Sequence, residues 1–311
     1  MHKSKHQLEC MKCSQYIGRL IAKMSSSYKR IGLFIRKDDP VMENAVVRVT
    51  DFLRTRSLSI VINEPMSFLP ELDVVSINDF PQHCDLTIAI GGDGTLLSAS
   101  RALSGSDLPL VGINVGRLGF LADVTLSKLE QQVTEILDGD YREDTRFLMY
   151  ASINNSNNPV GKAMNDVVVH AHQSLHMIEF ETYINGRFLN SQRADGLVIA
   201  TPTGSTAYAM SAGGPILDVD LDALVLASVC PHSLSNRPLV IAANSVIDII
   251  LSENNTNTAM ATCDGRPGHI MQPGDSIRIQ RHTSTIQLLH LEDHDHYSIL
   301  RAKLEWGKKL T

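Results

Sequence analysis

The chain has 311 residues, 43% of them hydrophobic and 20% charged, with a formal net charge of −6. At roughly 100–200 residues per domain, two domains are expected; wholesale disorder is excluded, and the acidic balance argues against a broad nucleic-acid-binding face. No apolar run reaches the ~18 residues that span a bilayer, and five cysteines are too few for a disulfide framework at this length, so a protein of the reducing cytoplasm is expected.

Residues 1–28 form a basic arm in which Lys3, Lys5, Lys12, Arg19 and Lys23 stand against Glu9 alone. The arm reads as disordered, or as an upstream extension ahead of Met24, rather than as a targeting segment. Cys10 and Cys13 make a lone C-x-x-C without the second pair a zinc site needs. From Tyr28 the pattern alternates. Strands are predicted at Ile31–Ile35, Ser59–Ile62, Asp85–Ile90 and Leu110–Asn114, and a helix at Met42–Arg56 with Val46, Val49, Phe52 and Leu53 on one side. Short apolar strands separated by helices predict a Rossmann-like parallel sheet covered on both faces. Ser127-x-x-Glu130 then predicts a capping box opening a helix to about Leu137.

After about Tyr141 the texture becomes strand-rich, with runs at Arg146–Ile153, Met164–Val169, His176–Ile184, Gly196–Thr201, Leu239–Ile241 and Val246–Leu251. Asn185-Gly186 between two of them is a hairpin signal. Strands near Ser276–Arg281 and Thr285–Leu291 and a helix over Ser298–Trp306 close the chain. The predicted class is α/β plus β. A parallel α/β domain (29–140) precedes a β-sandwich-like domain (141–275), and a mixed α/β tail (276–311) packs back on the first.

Two clusters carry chemistry. Gly91-Gly92-Asp93-Gly94-Thr95 stands at the C-terminal edge of a strand and opens a helix, where α/β sheets bind ligands and where a helix offers free N–H groups to an anion. An aspartate there repels phosphate unless it takes a proton from a hydroxyl, holds a metal or grips a ribose; the alternative is a structural turn whose Asp caps the helix. No P-loop and no complete G-x-G-x-x-G exists, which removes P-loop enzymes and disfavours hydride transfer. The second cluster runs from Gln192 to Pro215, where Thr203, Ser205, Thr206, Tyr208 and Ser211 crowd hydroxyls into a turn after a strand, with Gly and Ala leaving room for a ligand. Met164-Asn165-Asp166-Val167 adds an amide and a carboxylate suited to an adenine edge and ribose hydroxyls.

Gly91–Thr95, Asn165-Asp166 and Asp195-Gly196 through Ser211 together resemble the NAD kinase family in its bacterial form, as does the stretch Gly112-Ile-Asn-Val-Gly116-Arg-Leu-Gly119-Phe-Leu-Ala-Asp123. The resemblance runs from about Arg30 to the C-terminus. It implies transfer of a phosphoryl group from ATP or another donor such as polyphosphate to the 2′-hydroxyl of the adenosine ribose of NAD. It also implies a divalent ion, Mg²⁺, arriving with the donor, and a homodimer or homotetramer. Asp93 matches the proton acceptor and Gly94 lines the NAD site. Asn165 and Asp166 match residues that hold the adenosine. Arg193, Asp195, Thr203, Thr206, Ala207, Tyr208, Ala209, Met210 and Ser211 match the stretch embracing the rest of NAD, and His176 falls where a basic residue often stands. After Cys263-Asp264 the family often carries Gln, whereas Gly265-Arg266-Pro267 follows here, so no NAD contact is assigned to Arg266.

The chemistry is coherent on its own terms: an aspartate in reach of a ribose hydroxyl delivers it and removes its proton late, and the rest is positioning and charge neutralisation. The rivals are a lipid or sphingoid-base kinase sharing the GGDG element, and a non-enzymatic NAD(P) sensor. The first needs an apolar acyl pocket in place of the hydroxyl-rich turn; the second has no use for Asp93. Asp293-His294-Asp295-His296 with His290 reads as a solvated loop capping the last helix rather than a metal site. Cys230 and Cys263 read as buried small residues, and Trp306 as packing for the last helix.

Overall fold

The computed structural model describes residues 28–36, 40–116, 119–154, 158–172 and 176–306. The basic arm up to Ser27, with Cys10, Cys13 and Met24, lies outside the described residues. The chain divides into two compact units, 1–145 with 287–311 and 146–286.

The first unit contains β1 (Arg30–Ile35), α1 (Pro40–Thr55), β2 (Ser59–Ile62), β3 (Asp73–Val74), α2 (Phe80–His83), β4 (Leu86–Gly91), α3 (Asp93–Leu103), β5 (Leu110–Asn114), β6 (Val124–Thr125) and α4 (Leu129–Leu137). The sheet runs β5-β4-β1-β2-β3 with every pair parallel, and β6 continues it parallel to β5. β4 and β5 are buried at every residue, as a strand covered on both faces must be. α1 starts at a proline, carries Glu43 in its first turn and Arg54 in its last, an arrangement that suits its dipole. It turns Val46, Val49 and Leu53 inward with Ile31, Leu33, Ile88 and Ile90, while Phe52 only partly covers that core.

The helix after Ser127 forms, but the capping box does not. A 3₁₀ turn over Leu126–Lys128 precedes α4, and neither Thr125 nor Lys128 caps with its side chain. The Ser127 hydroxyl bonds Thr125 Oγ1 instead. Gln132 Oε1 accepts the Thr125 N–H at 2.9 Å. A side chain two residues further on thus takes the task expected of Glu130.

The remaining elements are β7 (Tyr141–Ile153), β8 (Asn158–Ala163), β9 (Asp166–Ala171), β10 (Ile178–Ile184), β11 (Arg187–Ala194), β12 (Gly196–Ala200), α5 (Tyr208–Ser211), β13 (Ala223–Val229), β14 (Leu239–Ala242), β15 (Ile247–Leu251), β16 (Ala259–Cys263), β17 (His269–Met271), β18 (Ser276–Leu291) and α6 (His296–Leu304). In the second unit, β11-β10-β15-β18 form one antiparallel layer. The order β14-β13-β12-β9-β16-β17 forms another. One core joins them: Phe180, Ile178, Ile249 and Ile277 from the first layer meet Val167, Val169, Leu197 and Ala261 from the second. This is the sandwich the strand-rich texture predicts. The Asn185-Gly186 hairpin is present, with both residues at positive φ (52° and 74°), as a two-residue turn of this type requires.

β18 replaces the two strands expected near its position. His282-Thr-Ser-Thr reads as a turn by polarity, yet it continues the strand, and the Ser284 N–H donates to His282 Nδ1 at 3.0 Å. The last part of β18 belongs to the first unit, where Leu288 pairs in parallel with Leu110. Trp306 lies beyond α6 and is half exposed, so it does not pack the helix as expected. No helix among the described residues is long and apolar enough to cross a membrane.

Phe80 is fully buried and among the largest such side chains. Phe80→Ala should cost the first unit about 3–5 kcal/mol through lost transfer energy and a residual cavity. Urea titration checks this, and a loss below about 1 kcal/mol would show that the unit closes over the gap.

Candidate functional site

In the first unit the site is built on the end of β4. Gly92, extended at φ −98° and ψ −173°, is the N-cap of α3 without a side chain to cap it, and Asp93 is the first helical residue. Asp93 does not cap its own helix. Its carboxylate reaches across to the segment after β5, where Oδ2 accepts the Phe120 N–H at 2.7 Å. Oδ1 accepts those of Leu121 at 3.1 Å and Ala122 at 3.3 Å. Three successive backbone donors therefore hold one carboxylate. The approach is close enough to dictate the residue at 119: a Cβ on Gly119 would overlap Asp93 Oδ1. Gly92 and Gly94 are exposed, and Arg36 Nη1 lies 3.8 Å from where a Cβ on Gly94 would stand. Arg36 is a cation beside the helix N-terminus that sequence reasoning passed over. The Asn63 amide fixes the chain beside it, accepting the Ile35 N–H at 2.7 Å and donating to the Ile35 carbonyl at 3.1 Å.

The second unit repeats the device. Asp264, in left-handed backbone at φ 48°, accepts the N–H groups of Met164 at 3.1 Å, Asn165 at 2.8 Å and Asp166 at 3.2 Å. It returns its own N–H to the Asp166 carbonyl at 2.9 Å. Asp264 is a second residue the sequence reading missed as part of the site; the Asp-Gly pair after β16 marks a turn, but only the register of β16 on β9 brings it there. Burial, and then the neighbouring Asp264 charge, push the Asp166 carboxyl up to about 7. Asn165 Oδ1 is buried without a hydrogen-bond partner among the described residues, so it is left to accept from a water or from a ligand.

The turn after β12 sits on this pair. The Thr201 hydroxyl donates to the Met164 carbonyl at 2.6 Å, and the Thr201 N–H to Asn165 O at 2.9 Å. A side chain at Gly204 would collide with the Asn165 backbone. The turn is a 3₁₀ segment over Thr203–Thr206 followed by α5. Several of its hydroxyls are committed internally. Thr203 Oγ1 accepts from the buried Arg146 guanidinium at 2.8 Å. Ser205 donates to the Pro202 carbonyl and accepts the Leu217 N–H, and Thr206 donates to Thr203 O. Ala209 is buried in a small core with Val168, Val198 and Val225. Ala207 and Met210 are half-buried, while Tyr208 and Ser211 are exposed.

Arg193 and Asp195 are exposed at the end of β11 and the turn beyond it. Arg193 borders a cavity of about 680 Å³ with Glu179, Gln192, Ser228 and His232, whose lining contains none of Asn165, Asp166 or the 203–211 turn. His176 lies in an exposed bend before β10. Cys263 is buried as expected, but Cys230 is exposed; a hydrogen bond to Asp195 raises its thiol above the usual range, which makes it a poor nucleophile.

Asp123, His290 and His294 cluster at metal-site spacing. Both imidazole Nδ1 atoms meet one oxygen, Asp123 Oδ2, at 3.1 and 3.0 Å. The rings stack with centroids 4.0 Å apart and 24° between planes. As they stand, the two imidazoles share one carboxylate oxygen as hydrogen-bond acceptor, and His290 is buried rather than part of the solvated loop expected from the sequence. Asp295, the neighbouring acid, caps α6 through the Tyr297 N–H, as the sequence suggested.

Two family models match the chain: the ATP-NAD kinase N-terminal domain over residues 31–141 and the ATP-NAD kinase C-terminal domain over 164–291. The NAD kinase of Nitrosococcus oceani is 50% identical over 292 residues, covering 92% of this chain and all of that protein. This chain belongs to the NAD kinase family. The NAD kinase of Azotobacter vinelandii is 41% identical, covering 91% of this chain and 98% of its own. Among solved structures, a yeast NADH kinase complexed with NADH superposes with a TM-score of 0.82 at 24% identity, over 92% of this chain and 91% of that one. An Archaeoglobus fulgidus NAD kinase in complex with ATP gives 0.70 at 22%, over 89% and 98%. At those identities the structures attest the shared two-domain fold.

Gly119→Ala should leave the protein folded but displace the Asp93 carboxylate, lowering turnover ~10²-fold or more. Steady-state assays of a variant with parental melting temperature check this; unchanged turnover would mean that the carboxylate tolerates the shift. Asp166 supplies a pH test. Its folded value near 7 lies above the unfolded ~3.9, so the folded protein holds the extra proton and this group's contribution to stability is lost as pH rises through 7. Asp166→Asn should therefore gain in melting temperature relative to the parent between pH 5 and pH 8. A constant difference across that range in calorimetry would refute the shift.

Proposed function

We propose the following division of labour for the reaction of this family, phosphoryl transfer from ATP to the 2′-hydroxyl of the adenosine ribose of NAD, giving NADP. The observation that carries it is the state of Asp93. Of about four lone-pair sites on a carboxylate, backbone donors take three, which fixes the group in orientation and leaves one acceptor position for a substrate hydroxyl. As the ribose oxygen bonds the γ-phosphorus and the bond to the bridging oxygen breaks, the hydroxyl proton passes to Asp93 and ADP leaves.

In the second unit, the unsatisfied Asn165 Oδ1 suits the exocyclic amino group of adenine, and Asp166 suits the ribose hydroxyls. Within the second unit, Tyr208 and Ser211 suit the remainder of NAD with His176, Arg193 and Asp195, while Thr203, Thr206, Ala207, Ala209 and Met210 shape the turn that presents them; in the first unit Gly94 keeps its role in lining the NAD site. The free N–H groups of α3 and the Arg36 guanidinium favour the donor phosphates. A divalent ion, Mg²⁺ in this reading, enters with ATP as part of that substrate and neutralises its phosphates. The family resemblance carries the homodimer or homotetramer in this reading; Leu189 on β11 and Leu239 on β14, both exposed, border the cavity beside Arg193 and offer it apolar contact. No observation favours a lipid kinase or a sensor.

Asp93→Asn should bind NAD yet turn over ~10²–10⁴-fold more slowly, followed by chromatographic separation of NAD and NADP. NAD lacking the adenosine 2′-hydroxyl should accept no phosphate from the parent enzyme. Near-normal turnover by the variant removes Asp93 from proton transfer, and phosphorylation of the 2′-deoxy analogue moves the acceptor elsewhere.

A further inference from the structure

The segment that supplies the three donors to Asp93 is short, and it lies between two anchors that come from the other end of the chain. Phe120, the first donor, lies under the Lys303 ammonium of α6, 4.5 Å from its ring centroid. Asp123, the residue after the last donor, is mostly covered and receives both His290, at the end of β18, and His294, in the turn before α6. His290 is 2% exposed, and its Nε2 faces Asp144 Oδ2 at 3.5 Å. Burial alone would push the Asp123 carboxyl up and His290 down. The hydrogen bonds outweigh it, so Asp123 is held down to about 2 and His290 is raised above the ordinary histidine range. A buried carboxylate between two imidazoles is expensive to dismantle, because removing one partner strands the others.

We propose that Asp123, His290 and His294, with Lys303 over Phe120, are positioning residues that hold the 120–122 N–H groups in register and so orient the carboxylate of Asp93. The reach of the cluster follows from geometry. The donors at 120–122 lie between Phe120 and Asp123, and both of those residues are held from residues 290–303. None of the four touches the reacting atoms in this account; they act through Asp93, and the inference therefore rests on the proton-acceptor role proposed for it.

The test is a double-mutant cycle on the full-length enzyme with ATP, Mg²⁺ and NAD. Asp123→Asn and His290→Gln should each lower kcat ~10–10²-fold, the cost of an ångström-scale misplacement, with KM for NAD within twofold of the parent. In the Asp93→Asn background the same substitutions should lower kcat no further, because a positioning residue has nothing left to position. If Asp123→Asn fails to fold by circular dichroism, His294→Gln and Lys303→Met, on the outer side of the cluster, carry the same cycle. Parental kcat in the folded single variants, a fall that multiplies with that of Asp93→Asn, or a rise in KM without a fall in kcat overturns the proposal. If Asp93→Asn is itself near-normal, it is the role of Asp93 that fails, and the clamp result is read apart from it.

Discussion

A carboxylate that collects three consecutive backbone N–H groups organises each unit of this protein. Backbone amides are obligatory donors that secondary structure normally consumes; three left unpaired in a row are costly unless one acceptor takes them all. Asp93 does this for residues 120–122 and Asp264 for residues 164–166. In each case the aspartate stands at the end of one element and the donors on another, so a tertiary contact, and not local sequence, sets the geometry. In the function proposed above the arrangement also orders the roles: at Asp93 the acceptor is itself the reactive group, whereas at Asp264 the acceptor is the support and the donors carry the ligand-facing side chains.

The electrostatic consequences of the two differ. Asp93 stands at the N-terminus of an eleven-residue helix, where a negative charge is favoured, and Arg36 adds a cation beside it. Asp166 has no such support. It is buried beside a second carboxylate, and the cost of that pairing shows in its raised titration. A ribose hydroxyl donating to Asp166 would offset part of that cost, which is a physical reason for a binding site to be held in an uncomfortable state before its ligand arrives.

The parallel sheet and the sandwich were legible because burial writes itself into the pattern: β4 and β5 are unbroken apolar runs, and the Asn185-Gly186 turn is local chemistry. β11 was obscured because its residues are largely exposed and polar, and β18 because a polar stretch in its middle mimics a turn. In the site, Asp93, Asn165 and Asp166 stood out as charged or amide groups at strand ends. Asp264, Gly119 and the Asp123–His290–His294 cluster did not, because their significance lies in pairings across 26 to 171 residues of chain that no spacing rule reports. The hydroxyl-rich turn was over-read in one respect: Ser205 looked like a ligand donor, but it is sealed inside, bonding Pro202 and Leu217.

The division of the chain, with residues 287–311 completing a unit begun by the first 145, bears on how the molecule is made. A nascent chain emerging from the ribosome can close the sandwich of residues 146–286 as soon as it is out. The unit holding Asp93 must wait for residues 287 onward. Until then its β5 edge lacks Leu288 and Asp123 lacks His290 and His294, so the unit holding Asp93 is completed last. A chain that stopped at residue 286 would carry all of the sandwich and an unfinished parallel sheet.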